Sequence, residues 1–200
     1  METEQHLHLR LPRKAIAKMG GLLGQGLLLK SPVGITLWDF LCNRLGLGED
    51  YVQDKLQTVF VNGRAVDRFD TVHIKDGDTI ALSSAMPGLV GATLRRGGHL
   101  AQIRAEISYQ EDQDSPPTPA DGTVLLKMFN VVARESGEQA LAGQVWVPAQ
   151  VLLPSLDLLQ AAGYLNEEGA CLWNGKPSPP GDVARTTATG QLIALEITWL

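Results

Sequence analysis

Two stretches separated by more than a hundred residues share one frame: TVFVNGRAV, Thr58–Val66, and ACLWNGKPS, Ala170–Ser178, each a short apolar run ending in Asn-Gly. Each is followed by an alternating apolar segment, KDGDTIALSSA (Lys75–Ala85) and ATGQLIALEIT (Ala188–Thr198). From Asn62 to Ile80 is 18 positions, and from Asn174 to Ile193 is 19. The upstream parts match in the same order. HLHLRL (His6–Leu11) faces VLLKMF (Val124–Phe129), GLLLKSP (Gly26–Pro32) faces QVWVPAQ (Gln144–Gln150), and ITLWDFLCNRLG (Ile35–Gly46) faces LLPSLDLLQAAG (Leu152–Gly163). Five matched blocks in one order read as an internal duplication, which limits the fold to a small unit used twice.

The charge divides where the repeat does. Residues 1 to 109 hold 13 Lys and Arg against 11 Asp and Glu, a net +2, while residues 110 to 200 hold 4 against 11, a net −7. Between the copies lies QEDQDSPPTPADG, Gln110–Gly122, whose acidic residues and prolines cannot bury enough apolar surface to pack, so it reads as a linker. The expected domains are therefore 1–109, a linker 110–122, and 123–200.

Each copy has a physical reading. HLHLRL alternates as a half-buried strand, and GLLLK is a second apolar run, so the two predict a hairpin with the glycine-rich GGLLGQG (Gly20–Gly26) as its loop. GGLLGQG lacks the Gly-Lys-Ser/Thr ending of a phosphate-binding loop. Leu37, Phe40, Leu41, Leu45 and Leu47 keep helical spacing, with Thr36 as N-cap and Gly46 at the end. VFVNGRAV is a strand entering a tight turn where Gly63 takes a positive φ, Asp76-Gly77-Asp78 is a second turn, and TIALSS closes the unit. Strand, strand, helix, strand, strand is the β-grasp order. The expected fold class is α+β: tandem β-grasp domains, each a mixed sheet with one main helix.

The succession of opening strand, TLWDFLCNRLG helix, VFVNGRAV and KDGDTIALSSAMPG resembles the small sulfur-carrier proteins of molybdopterin and thiamine synthesis (MoaD/ThiS-like), which share the ubiquitin fold. The likeness spans about residues 5 to 91. KMFNVVARESGEQAL (Lys127–Leu141) is similar to the opening of the molybdopterin-synthase small subunit and extends it over about 123 to 198. The resemblance implies a function resting on a C-terminal Gly-Gly, adenylated by an activating enzyme and converted to a thiocarboxylate. Here the first family glycine falls on Gly88 and the second on Leu89, the chain continues, and the second copy ends EITWL. Neither copy carries a usable sulfur-carrier tail as translated.

A different diglycine, in LRRGGHL (Leu94–Leu100), offers Arg95, Arg96, Gly97 and Gly98 as a candidate tail or partner-binding segment, together with Gly88. Its functional reading is a proprotein cut after Gly98. Its structural reading is a hairpin turn, because Ala101, Ile103, Ala105 and Ile107 alternate with polar residues after a Gly-Gly pair. The second reading fits the alternation better and predicts an added hairpin over about Leu89–Gln110.

Other chemistry is sparse. His6 and His8 share a strand face but lack a third metal ligand nearby, no serine or cysteine has the setting of a nucleophile, and Cys42 and Cys171 sit among apolar neighbours as buried thiols. Arg10, Arg13, Lys14 and Lys18, with Arg95 and Arg96, are candidates for an anion-facing surface. The positive excess is too small and too poor in aromatics for nucleic acid, no run is long enough to span a membrane, and no secretory leader is visible. The expectation is a cytoplasmic, non-enzymatic binding or scaffold protein with no cofactor. Its partner would be another protein, by resemblance an E1-like or molybdopterin-synthase-like one, or a second copy in a homodimer. The rivals are a carrier or modifier precursor cleaved after Gly98 (or Gly88) and an accessory subunit of a molybdopterin or tungstopterin system.

Overall fold

A computed structural model describes residues 4–84, 88–96, 118–188 and 190–200. Their α+β architecture is one open, mixed, ten-stranded sheet with several helices. The strands are β1 (Gln5–Leu11), β2 (Leu27–Val33), β3 (Thr58–Val61), β4 (Arg64–Ala65), β5 (Thr79–Ser83), β6 (Ala120–Met128), β7 (Val145–Pro148), β8 (Cys171–Trp173), β9 (Lys176–Pro177) and β10 (Leu192–Trp199). Their order across the sheet is β4-β3-β5-β6-β2-β7-β10-β1-β8-β9. Two five-strand blocks therefore meet at β2 and β7, through the single register pair Leu28–Trp146.

Each block contains a strand from the other half of the chain. β6 lies between β5, to which it is parallel, and β2, to which it is antiparallel. β1 lies between β10, its parallel neighbour, and β8, its antiparallel one. The hairpin expected of the first two runs is therefore absent: β1 and β2 belong to different blocks. GGLLGQG is not a hairpin loop either but most of a helix, α1 (Gly20–Gln25), which follows a 3-10 turn, Arg13–Lys18, on the way between blocks. Leu22 and Leu23 are fully buried. That burial outweighs the poor helix propensity of the flanking glycines.

Local signals fare better. Thr36 caps α2 (Leu37–Asp39), its Oγ1 accepting from the Asp39 amide at 3.0 Å, and the helix continues as a π-type stretch, Phe40–Arg44, before Gly46 turns away at φ 69°. The two Asn-Gly turns are near copies: Asn62 and Gly63 have φ 51° and 78°, Asn174 and Gly175 have φ 50° and 78°. In the first, the Asn62 amide donates to the Thr79 carbonyl and its side-chain oxygen accepts from the Thr79 amide at 2.9 Å. In the second, the Asn174 amide donates to the His6 carbonyl and its side-chain oxygen accepts from the His6 amide at 2.9 Å. The strand gripped beside β3 is β5, whereas the strand gripped beside β8 is β1. β10, the sequence match of β5, sits one place further over.

The region expected to form an added hairpin begins instead as a helix, α4 (Gly88–Leu94). Gly97, Gly98 and the rest of that expectation lie outside the described residues. β6 begins at Ala120, inside the stretch read as linker. Gly122 is needed there: a Cβ would come within 2.8 Å of Val33 Cγ1 and 3.0 Å of Asp76 Oδ1.

The core lies on one side of the sheet. Leu7, Leu9 and Leu11 of β1, Val124, Leu126 and Met128 of β6, Ile80 and Leu82 of β5, and Ile193, Leu195 and Ile197 of β10 are all buried. They join one cluster with α3 (Glu49–Asp54), α5 (Asn130–Ala140), α6 (Ala149–Ala161) and α7 (Pro180–Thr186). Burying each such Leu or Ile is worth about 1.5–3 kcal/mol relative to exposure. The connections that cross between blocks also pack together, since a Cβ on Gly137 of α5 would meet Leu23 of α1 at 2.8 Å and Ile16 of the 3-10 turn at 2.9 Å.

Candidate interaction face

The alternate strand residues point to the other side of the sheet. There the register pairs run Thr79–Leu125, Leu125–Leu28, Leu28–Trp146, Trp146–Ala194 and Ala194–His6, one row across six strands and over the junction of the blocks. Leu125, Leu28 and Trp146 are half-buried, in contrast to the fully buried leucines one residue away on the inner side. The Lys30 ammonium stands 4.4 Å from the centre of the Trp146 ring, covering one face of it. The Trp146 Nε1–H donates to a Glu4 carboxylate oxygen at 2.5 Å. In the next row, Leu192 stands opposite Pro148 and is 45% exposed.

Beyond β6, toward the β3 side, this face ends in a cleft of about 240 Å³ lined by Phe60, Ala81, Ser83, Phe129 and Asn130. Phe129, 39% exposed, closes β6, and Asn130 opens α5 in the left-handed region at φ 55°. The Asn130 Nδ2 donates to Ser83 Oγ at 3.3 Å, tying the corner to β5. Gly24 of α1 leaves room behind Phe129, whose ring lies 3.5 Å from where a Cβ would sit. Two aromatic rings over a small polar floor suit an inserted apolar side chain.

At the other end are the two histidines. His6 Nε2 lies 3.5 Å from a Glu196 carboxylate oxygen, and His8 Nε2 shares a 2.8 Å hydrogen bond with Thr198 Oγ1. Among the described residues, no group of three or more His, Cys, Asp or Glu side chains is placed to hold a metal ion.

The residues singled out in LRRGGHL are dispersed or anchored. Gly88 opens α4, and Arg95 follows it on the surface. The Arg96 amide donates to the Gln57 carbonyl at 2.8 Å, and its guanidinium donates to the carbonyls of Val52, at 3.4 Å, and Gln53 at the end of α3. Its carbon centre lies 4.5 Å from the middle of the Phe69 ring. Burial lowers its pKa, opposed by the charges of Asp67 and Asp54. Arg96 thus works as a strut that fastens the segment after α4 to the first block. Gly97 and Gly98 are outside the described residues. The basic residues of the first connection lie elsewhere. Arg13 pairs with Glu138, and Lys14 and Arg10 line a cleft of about 390 Å³ with Tyr164, Glu167 and Glu168, where Lys14 Nζ is 5.7 Å from the tyrosine ring.

Both cysteines are free thiols, Cys171 buried and Cys42 half-buried. Burial pushes the Cys171 thiol up to about 11. Burial, then Glu49 and Asp39, raise that of Cys42. Neither environment favours a thiolate nucleophile. No helix among the described residues is long and apolar enough to cross a membrane. No protein-family model, no curated protein and no solved structure matches the chain.

Proposed function

We propose that the chain is a non-catalytic, ubiquitin-like binding or scaffold protein, related to the sulfur carriers it resembles but without their reactive tail, and that the outward face of its sheet is where it engages another protein. In this reading the two blocks are diverged copies of a β-grasp-type unit whose central strands have been rearranged. The carrying observation is the apolar row of the half-buried Leu125, Leu28 and Trp146, flanked by the exposed Leu192 and the Phe129 cleft. An apolar patch bordered by charged and polar side chains, here Lys30, Lys127 and His6, is what a protein-binding surface requires. The sheet edges fit this role less well: β4 and β9 have two residues each, and β9 carries Pro177, which cannot donate to an added strand.

The reading is tested by placing a photo-crosslinking residue at Leu192, at Phe129 and, as a control on α6, at Leu158, which is 52% exposed. Crosslinking is done in the native host, followed by intact-mass analysis of the chain. One adduct common to positions 192 and 129 and absent from 158 is expected, with Phe129→Asp abolishing the 192 adduct. Equal labelling from 158, or a chain ending at Gly98 or Gly88, would sink the proposal in favour of the precursor reading.

A further inference from the structure

We infer that the two halves of the chain are reciprocal strand donors, so that a chain cut between Arg96 and Ala120 remains a two-part complex held by β1 and β6. Each strand fills a slot lined by backbone of the other half. Removing β6 leaves Leu27–Val33 with only the Leu28–Trp146 pair to β7, leaves no strand between β2 and β5, and frees Thr79–Leu82 on the side away from β3. Removing β1 strips Ile193–Trp199 and Cys171–Trp173 of the strand between them, leaving β10 paired only with β7 and β8 only with β9. Unpaired backbone in a half-buried sheet is costly, and each slot also loses three inward apolar residues: Val124, Leu126 and Met128 from one, Leu7, Leu9 and Leu11 from the other.

The slots are specific for their occupants. The expected turn Asp76-Gly77-Asp78 grips β6, with Asp76 Oδ1 accepting from the Thr123 amide at 2.7 Å, the Gly77 amide donating to the Thr123 carbonyl at 2.8 Å, and the Leu125 amide donating to the Asp78 carbonyl at 2.8 Å. Beside that turn the slot admits only a residue without Cβ, which Gly122 supplies. β1 has seven residues and no glycine, so it cannot occupy the β6 slot over its full length. Its own slot grips it differently, through Asn174 on His6 at one end and the Leu200 amide on the Leu11 carbonyl at the other. Between the blocks themselves the sheet is joined by one register pair, so β1 and β6, with the crossing connections packed around Gly137, hold the halves together.

The experiment uses the full chain with a protease site inserted between Asp112 and Gln113, cut to completion as judged on a denaturing gel. Native size exclusion with light scattering should give one species of the intact mass. Its thermal midpoint should fall on dilution, because association now enters the equilibrium, whereas the uncut chain's midpoint does not move. Gly122→Val in the cut protein should weaken association by about tenfold or more through overpacking, and in the uncut chain should only lower the midpoint. Fragments that part under native conditions, folded or not, or a cut protein whose midpoint ignores dilution, would overturn the inference.

Discussion

In the block around β3, the turn at Asn62 grips β5, which follows it in the same half of the chain. In the block around β8, the turn at Asn174 makes the same backbone and side-chain hydrogen bonds to β1, from the far end of the sequence. The outer members β2 and β7, β3 and β8, and β4 and β9 hold equivalent places, while the central parallel pair does not: β6 and β10 take one central place, β5 and β1 the other. A turn fixes the geometry of the strand beside it but not which segment supplies that strand. Apolar alternation sets which face of a central strand meets the core, while contacts such as Gly122 beside Val33 and Asp76 decide which segment fits the place.

If the centres are shared as described, damage to either donated strand should be felt in both blocks. Leu126→Ala in β6 and Leu9→Ala in β1, both fully buried, are each expected to cost about 2–5 kcal/mol. Hydrogen exchange should then show β3 and β8 losing protection together. Separate unfolding of the two blocks would break the comparison.

The Asn clamps should differ in strength. Asn62 also donates to Asp78, a carboxylate only 6% exposed that accepts from the Lys75 amide as well, whereas Asn174 donates to the side chain of Gln5 at an exposed site. Asn62→Ala should cost about 2–3 kcal/mol and Asn174→Ala about 1 kcal/mol in urea denaturation. Equal losses would mean that the buried carboxylate plays no part.

By contrast, Gly63→Ala and Gly175→Ala should match each other at about 1 kcal/mol, because both have φ 78° with open space around them and only the backbone cost remains. A clear inequality, again by denaturation, would show that the turns are less alike than their angles.

The smallest effect concerns the thiols. Cys171 has its folded pKa raised from an ordinary 9 to about 11, so the unfolded chain ionises first, and stability present below about pH 9 should decline as pH rises through 11. Cys171→Ala should flatten that decline in a pH series of thermal melts. Cys42, half-buried on the helix of the first half, should react with a thiol reagent before Cys171 does.

Sequence alone carried the local chemistry. The Thr36 cap, the Gly46 stop and both Asn-Gly turns are read from single residues whose backbone requirements are specific. The strands were legible too, since inward and outward alternation in QHLHLRL and LIALEITW needs no partner to be recognised. Their neighbours were not, because alternation sets a strand's face and leaves its place in the sheet open. The helix over Gly20–Gln25 was hidden by its glycines, and it forms because Leu22 and Leu23 have a core to enter. The candidate face was only partly visible. Leu28, Leu125 and Trp146 show as outward positions once the strands are assigned, but nothing around Phe129-Asn130 signals a left-handed asparagine under an exposed ring.

The pairing of β1 with β10 also has a consequence in time. β1 leaves the ribosome well before either of its partners, β8 and β10, has been made. At roughly 5–20 residues per second, QHLHLRL waits on the order of 10–40 s before Leu192–Trp199 exists to receive it. Through that interval Leu7, Leu9 and Leu11 have no native strand to pair with, and they stay open to other apolar contacts until β10 has been made.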